Sequence, residues 1–168
     1  MKSGLRIGLI SDTHMPGAIK ELWPQVYQAF DGVDMVFHAG DLHTIEIVDR
    51  LSEIAPTYVA AGNVDIGLVD DRLKDHWCFE LETLRVGAIH QFPAPSRKTP
   101  EQLMGYAKRY FHALPQVVIY GHTHMEGIHH VDNMLCINPG SMYEQGTLLG
   151  AIVQLGKNKI DNYVLTSG

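Results

Sequence analysis

The chain has little cysteine, no long apolar run and no surplus of positive charge, and each shortage removes a class of protein. Its two cysteines, Cys78 and Cys136, lie far apart. Each sits in a short apolar stretch, so they read as buried free thiols in a reducing compartment and not as a disulfide framework. No stretch approaches the roughly 18 apolar residues of a membrane span. The first apolar run, Leu5–Ile10, carries Arg6 and meets Ser11 and Asp12 at once, so it lacks the apolar centre of a signal peptide. No membrane association is expected, and the expected location is the cytoplasm. Lys and Arg number 13 against 19 Asp and Glu, a formal net charge of −6. Nonspecific nucleic-acid affinity comes mainly from phosphate neutralisation by Lys and Arg, so long DNA or RNA is not an expected partner. Internal repeats, low-complexity tracts and linkers are also missing, and one domain is expected over residues 1–168.

What is present is the pattern of a packed α/β chain. With 45% apolar and 19% charged residues, the composition is that of a globular domain. The strand-like run Leu5–Ile10 leads through a loop with Pro16 and Gly17 to helical spacing at Ile19, Leu22, Trp23, Val26 and Phe30. The unit recurs: Met35–Phe37 reads as a strand, Ile45, Val48 and Leu51 repeat at helical spacing behind Thr44 as a cap, and Thr57–Ala61 is the next strand. Such alternation predicts a mostly parallel sheet. Cys78–Leu81 and Leu84–Ile89 read as an antiparallel hairpin. A helix starting near Pro100 and holding Gln102, Tyr106, Arg109 and Tyr110 precedes a strand at Val117–Tyr120. The segments Gly127–Val131, Met134–Ile137, Leu148–Gln154 and Ile160–Leu165 read as an antiparallel second sheet, so the whole is expected to be two packed sheets with helices outside.

The chemistry collects at strand ends. Five strand-like runs finish in, or within a few residues of, a metal-binding side chain: Asp12 and His14, then Asp41, Asn63, His90, and last His122 and His124. In open α/β sheets, ligands bind beyond the carboxyl ends of the strands, where residues remote in sequence converge. Asp12 and His14 are two apart, as are His122 and His124, which in extended backbone puts each pair on one face. Gly40 and Gly62 allow a sharp turn before Asp41 and Asn63. Any one of these fragments is also an ordinary turn or cap signal; their position after successive strands makes the case. The donors are imidazole nitrogen, carboxylate oxygen and one amide oxygen, without thiolate, a set suited to manganese, iron, zinc or nickel. Seven ligands exceed what one open catalytic ion takes. They suit two divalent ions roughly 3.5–4 Å apart sharing a bridging carboxylate, for which Asp41 is the candidate.

The ordered set Asp12-x-His14, Gly40-Asp41, Gly62-Asn63, His90 and Gly121-His122-x-His124 resembles the calcineurin-like metallophosphoesterase superfamily. Val64-Asp65 and Asn138-Pro139-Gly140-Ser141 resemble its compact bacterial and archaeal phosphodiesterase branch. The resemblance implies a four-layer α/β/β/α sandwich of two mixed sheets flanked by helices. It also implies one metal on Asp12, His14, Asp41 and His124 and a second on Asp41, Asn63, His90 and His122, with manganese the foremost choice. Two departures stand out. Many members carry a histidine after Gly-Asn that protonates the leaving oxygen, where this chain has Val64. The family's glycine after the fourth ligand is replaced by Gln91 and Phe92, so the loop after His90 is expected to differ in shape.

The expected reaction is in-line attack of a metal-bridging hydroxide on a small phosphodiester or nucleotide-like substrate, because metal binding lowers a water pKa from 15.7 to about 7. Catalytic roles are expected for Asp41, Asn63 and Asp65, the last orienting a metal-bound water or a ligand histidine. Without an acid at Val64, substrates with good leaving groups are favoured, and His43 is the nearest substitute donor, although a cap or solvent-exposed role suits it better. His38, ending a buried strand, reads as a hydrogen-bonded core histidine. Arg97 and Lys98 read as a solvated loop within reach of a substrate phosphate. Tyr106, Tyr110 and Phe111 read as packing residues. The rival reading is a non-catalytic protein-interaction scaffold on the same fold. Assembly into a homo-oligomer stays open.

Overall fold

The computed structural model describes residues 4–15, 21–141, 149–156 and 159–167, the last two stretches as strand backbone. Its first half alternates as the apolar spacing requires: β1 (Leu5–Ile10), α1 (Pro24–Ala29), β2 (Met35–His38), α2 (Glu46–Ser52), β3 (Thr57–Ala60) and the short β4 (Leu73–Lys74). The hairpin β5 (His76–Leu81) and β6 (Leu84–Ile89) follows, then α3 (Pro100–Ala107), β7 (Val117–Tyr120), β8 (Gly127–Val131), β9 (Met134–Asn138), β10 (Leu149–Gly156) and β11 (Lys159–Ser167). One sheet has the order β11-β10-β1-β2-β3-β4, with β1 to β4 parallel. The other has the order β5-β6-β7-β9-β8, with β6, β7 and β9 parallel and antiparallel strands at both edges.

Alternation within single strands builds the layers, because successive side chains point to opposite faces. Ile7 and Leu9 of β1 and Phe37 of β2 meet Val86, Val117 and Ile119 between the sheets. Ile10 and Val36 turn the other way, onto Val26 of α1 and Val48 and Leu51 of α2. On the far side Val118 and Tyr120 of β7 pack on Leu103 and Ala107 of α3. Three apolar seams thus separate four layers, and the α/β/β/α sandwich is the observed fold. α3 begins where Pro100 sets it, with Thr99 and Gln102 forming a reciprocal capping box.

Several expectations are corrected. The last four strands do not form one sheet: β8 and β9 extend the sheet of the hairpin, whereas β10 pairs antiparallel with β1, Ile7 opposite Val153. Local pattern marks a strand but not its distant partner. The first helix is shorter than its apolar spacing suggests, since Leu22 and Trp23 precede Pro24, which occupies the first helical position. Pro16, Gly17 and Ile19, like the turn at 157–158, lie outside the described residues. Thr44 is no cap: Ile45 holds that position, and the Thr44 hydroxyl donates to the Met15 carbonyl. Arg109 and Tyr110 fall beyond the end of α3. Cys136 is buried as expected, but Cys78 is exposed, because β5 is an edge strand. Among the described residues no helix is long and apolar enough to cross a membrane.

His38 is the core histidine expected. It is fully buried, and the Gly40 N–H donates to its Nδ1 at 3.0 Å, which leaves Nε2–H to donate to Thr13 Oγ1 at 3.0 Å. Burial pushes its pKa down to about 3 from 6.5. The folded chain therefore holds His38 neutral where the unfolded chain takes up a proton. Stability fully present above pH 6.5 falls as the pH drops from there toward 3, at about 1.4 kcal/mol per pH unit. In chelator-treated protein, denaturation midpoints from pH 7 to 4.5 should fall less steeply for His38→Asn than for the parent; equal slopes would refute the assignment.

Candidate metal centre

The carboxyl ends of β1, β2, β3, β6 and β7 come together at one edge of the sandwich, carrying the predicted residues with them. Donor atoms of Asp12, His14, Asp41 and His124 lie within 4.8 Å of one another, and so do those of Asp41, His90 and His122. Asp41 belongs to both groups. Its Oδ2 lies 3.6 Å from His14 Nε2 and 3.3 Å from His90 Nε2, while Asp12 Oδ1 lies 3.3 Å from His124 Nε2. His90 is 2% exposed, with Nδ1 donating to the Ala39 carbonyl at 2.6 Å, so Nε2 is turned into the cluster. Gln91, which is exposed, and Phe92, which is buried, follow it. Asn63 is exposed and shares with His90 a cleft of about 260 Å³.

The pairs Asp12/His14 and His122/His124 do not converge through extended backbone. All four residues, and Asp41 and His43 besides, have φ between 47° and 79°, in the left-handed region. Such backbone costs a non-glycine residue about 1–2 kcal/mol, and in this chain six of its eight non-glycine cases among the described residues gather at the cluster. Strain of this kind clusters at active sites and ligand clamps. It is held by bonds between loops: the Asp12 N–H donates to Gly40 O and the His14 N–H to Asp41 O. Gly62 lies so close that a Cβ there would strike Asp41 Oδ1, which is the close approach glycine permits.

Three residues brace these loops from behind. Asp65, 2% exposed, accepts from the N–H groups of Asp41 and Gly62 on Oδ2 and of Leu42 and His43 on Oδ1. It thus ties the loop after β2 to the loop after β3 through backbone. Asn138 Nδ2 donates to Gly121 O and Thr123 Oγ1, and Ser141 Oγ donates to Asp12 O. No role for Asn138 or Ser141 follows from sequence spacing; the signal was their place in the Asn138-Pro139-Gly140-Ser141 motif of the family resemblance. His43, exposed, caps no helix: its Nε2 lies 2.8 Å from His14 Nδ1. Arg97 and Lys98 are exposed and line, with His122, a second cleft. Phe111 is buried, and Tyr106 and Tyr110 pack partly buried beside it.

The donor set fits a cation. Asp12 Oδ1 and His90 Nε2 are buried yet make no hydrogen bond of good geometry, and both face the cluster interior. Ligation needs ionised carboxylate and neutral imidazole. Burial pushes the Asp41 carboxyl up, but His90 beside it outweighs this and holds it at about 2. Burial lowers the pKa of His14 and of His122, favouring neutral rings. Asp12 is raised by burial to about 6 in the metal-free protein, and His90 is raised because the Asp41 and Asp12 carboxylates overcome the effect of its burial. A cation offsets both, since it favours the ionised carboxylate and displaces the imidazole proton.

Nitrogen and oxygen donors gathered at the strand ends of a paired-sheet sandwich are those of a metallophosphoesterase. The sequence model of the calcineurin-like phosphoesterase superfamily domain matches residues 5–156, and the chain belongs to this family of metal-dependent hydrolases. It is 38% identical over 137 residues to a probable metallophosphoesterase of Methanothermobacter thermautotrophicus, covering 80% of this chain and 76% of that protein. It is 25% identical over 154 residues to a phosphodiesterase of Methanocaldococcus jannaschii, covering 81% and 83%. In fold it is similar to vacuolar protein sorting 29 of Cryptosporidium parvum, with a TM-score of 0.80 at 18% identity over 99% of each chain.

Proposed function

We propose that the protein is a binuclear phosphodiesterase acting on small phosphate diesters. The observation that carries this reading is the sharing of Asp41 by two donor groups. Asp12, His14, Asp41 and His124 would hold one divalent ion, and Asp41, His90 and His122, with Asn63 beside them, a second; manganese is the first candidate, then iron, zinc and nickel. When bound, such ions neutralise phosphoryl charge and make water acidic enough to supply a nucleophile near neutral pH. The chain's own contribution is orientation. His90 is fixed by its bond to Ala39 O, and the Val64 N–H donates to Asp41 Oδ1 at 3.3 Å. Val64 has no proton to give, and His43 is engaged with His14, so the leaving oxygen must depart with little help. Activated diesters are the preferred substrates.

Purified protein loaded with manganese should hydrolyse bis-p-nitrophenyl phosphate and lose the activity on chelation. No turnover with manganese, iron, zinc or nickel would reject the reading in favour of an interaction scaffold. That alternative has one observation behind it, the exposed Ile66 and Val69 on the loop after β3.

A further inference from the structure

Two clefts meet at Gln91, one lined by His90 and the other by His122, and they differ in charge. The one on the Asn63 and His90 side, about 260 Å³, contains Ile66 and Tyr110 with a single carboxylate, Asp75, and no Lys or Arg. The other, about 350 Å³, begins at His122 and is lined by Gln91, Phe92, Arg97, Lys98 and Tyr106, with two cations and no carboxylate. Small-molecule sites run from about 300 Å³ upward, so each cleft accommodates one arm of a ligand and not a whole large one.

Among the described residues, no carboxylate pairs with the cations of the second cleft. Among the described residues, Arg50, Arg72 and Arg85 stand in ion pairs with Asp or Glu, and Lys74 and Arg109 lie over the rings of Trp77 and Tyr106. Arg97 and Lys98 enter no such contact there. Arg97 ends the Pro95–Arg97 turn of 3-10 helix and Lys98 follows it, just before the Thr99 capping box, so their backbone is anchored where they line the cleft. On a chain of net charge −6, two cations beside His122, without a carboxylate partner among the described residues, make a local field opposite in sign to that of the whole molecule, which concentrates an anion there. Arg and Lys recognise phosphate, Arg through a two-pronged donor set.

We infer that the preferred substrate is an unsymmetrical phosphodiester, one arm of which bears a further phosphate that Arg97 and Lys98 bind, while the uncharged arm lies along Asn63, Ile66 and Tyr110. This specificity rests on the phosphodiesterase reading above. Hydrolysis adds water across one P–O bond and yields a monoester and an alcohol, so the extra phosphate takes no part in the balance and acts through binding alone.

The test compares thymidine 5′-(p-nitrophenyl phosphate) with the same diester carrying a 3′-phosphate, using the manganese-loaded protein. The 3′-phosphorylated substrate should have the lower KM, by about 10 to 100-fold, as expected for charge-assisted hydrogen bonds to one phosphate. The double variant Arg97→Ala, Lys98→Ala should bring that ratio toward one. Equal KM values in the parent, or a preference that survives in the variant, would overturn the inference. Calorimetry with thymidine 3′,5′-bisphosphate and thymidine 5′-monophosphate separates this from failure of catalysis. Tighter binding of the bisphosphate, lost in the double variant, supports the cleft even if neither diester turns over. Equal affinities reject it whether or not they do.

Discussion

Asp41→Asn should leave the fold intact and remove both metal ions. The substitution is nearly isosteric, and asparagine is among the side chains best suited to the left-handed backbone, φ 63°, that Asp41 adopts. The amide oxygen can still accept from the Val64 N–H, as Asp41 Oδ1 does. Oδ2, however, is the oxygen beside His14 Nε2 and His90 Nε2, and an NH2 there replaces a charged acceptor with a donor. Both donor groups lose their common member at once. Loss of an outer contact to a ligand commonly costs about 10 to 100-fold in metal affinity or activity; removal of the shared carboxylate should exceed the upper end of that range in turnover of bis-p-nitrophenyl phosphate. Metal analysis after dialysis should find neither ion retained, with the thermal midpoint of the metal-free variant close to that of the metal-free parent. Two ions kept, with full activity, would show that Asp41 bridges nothing.

The convergence of these side chains was legible in the sequence because parallel strands fix it. A residue after the carboxyl end of one strand must lie near those after its neighbours, and β1, β2 and β3 pair in register from Val36 opposite Gly8 to Val59 opposite His38. The layers were legible for a similar reason, since two-residue periodicity decides which side chains face which seam. What could not be read depends on contacts between segments far apart in the chain. β10 returns to β1 across more than a hundred residues, and the pattern of β10 alone, apolar and β-branched, suits either sheet. The left-handed backbone at Asp12, His14, His122 and His124 has no local signature, because Asp and His are tolerated there without requiring it. Cys78 sits in an apolar run, yet among the described residues its strand pairs with β6 alone, at the edge of the sheet.

Asp65 shows the same division in a single residue, and its replacement by asparagine should produce the largest structural effect in the centre. Sequence placed a carboxylate two residues after Asn63 and gave it the task of holding a water or a histidine. In the folded chain its two oxygens accept from four backbone N–H groups, at 2.8 Å from Asp41 and Gly62 and at 2.7 and 3.2 Å from Leu42 and His43. An asparagine can turn its oxygen to only one of these pairs, and its NH2 then faces two donors in a buried site. Each N–H left unsatisfied costs about 1–3 kcal/mol, so the loss is roughly 2–6 kcal/mol. At roughly 2–4 °C per kcal/mol for a chain of this size, the midpoint should fall by roughly 5–20 °C. The damage is not confined to stability. Asp41 and His43 hold left-handed backbone, with φ 63° and 79°, and the lost bonds include those that keep it so. Metal affinity at 10 °C, well below the transition, should therefore also drop, by about 10 to 100-fold as for other outer contacts. If Asp65→Asn melts lower yet binds metal as tightly as the parent, Asp65 supports the fold alone; if both quantities stay unchanged, the four bonds do not hold the two loops together.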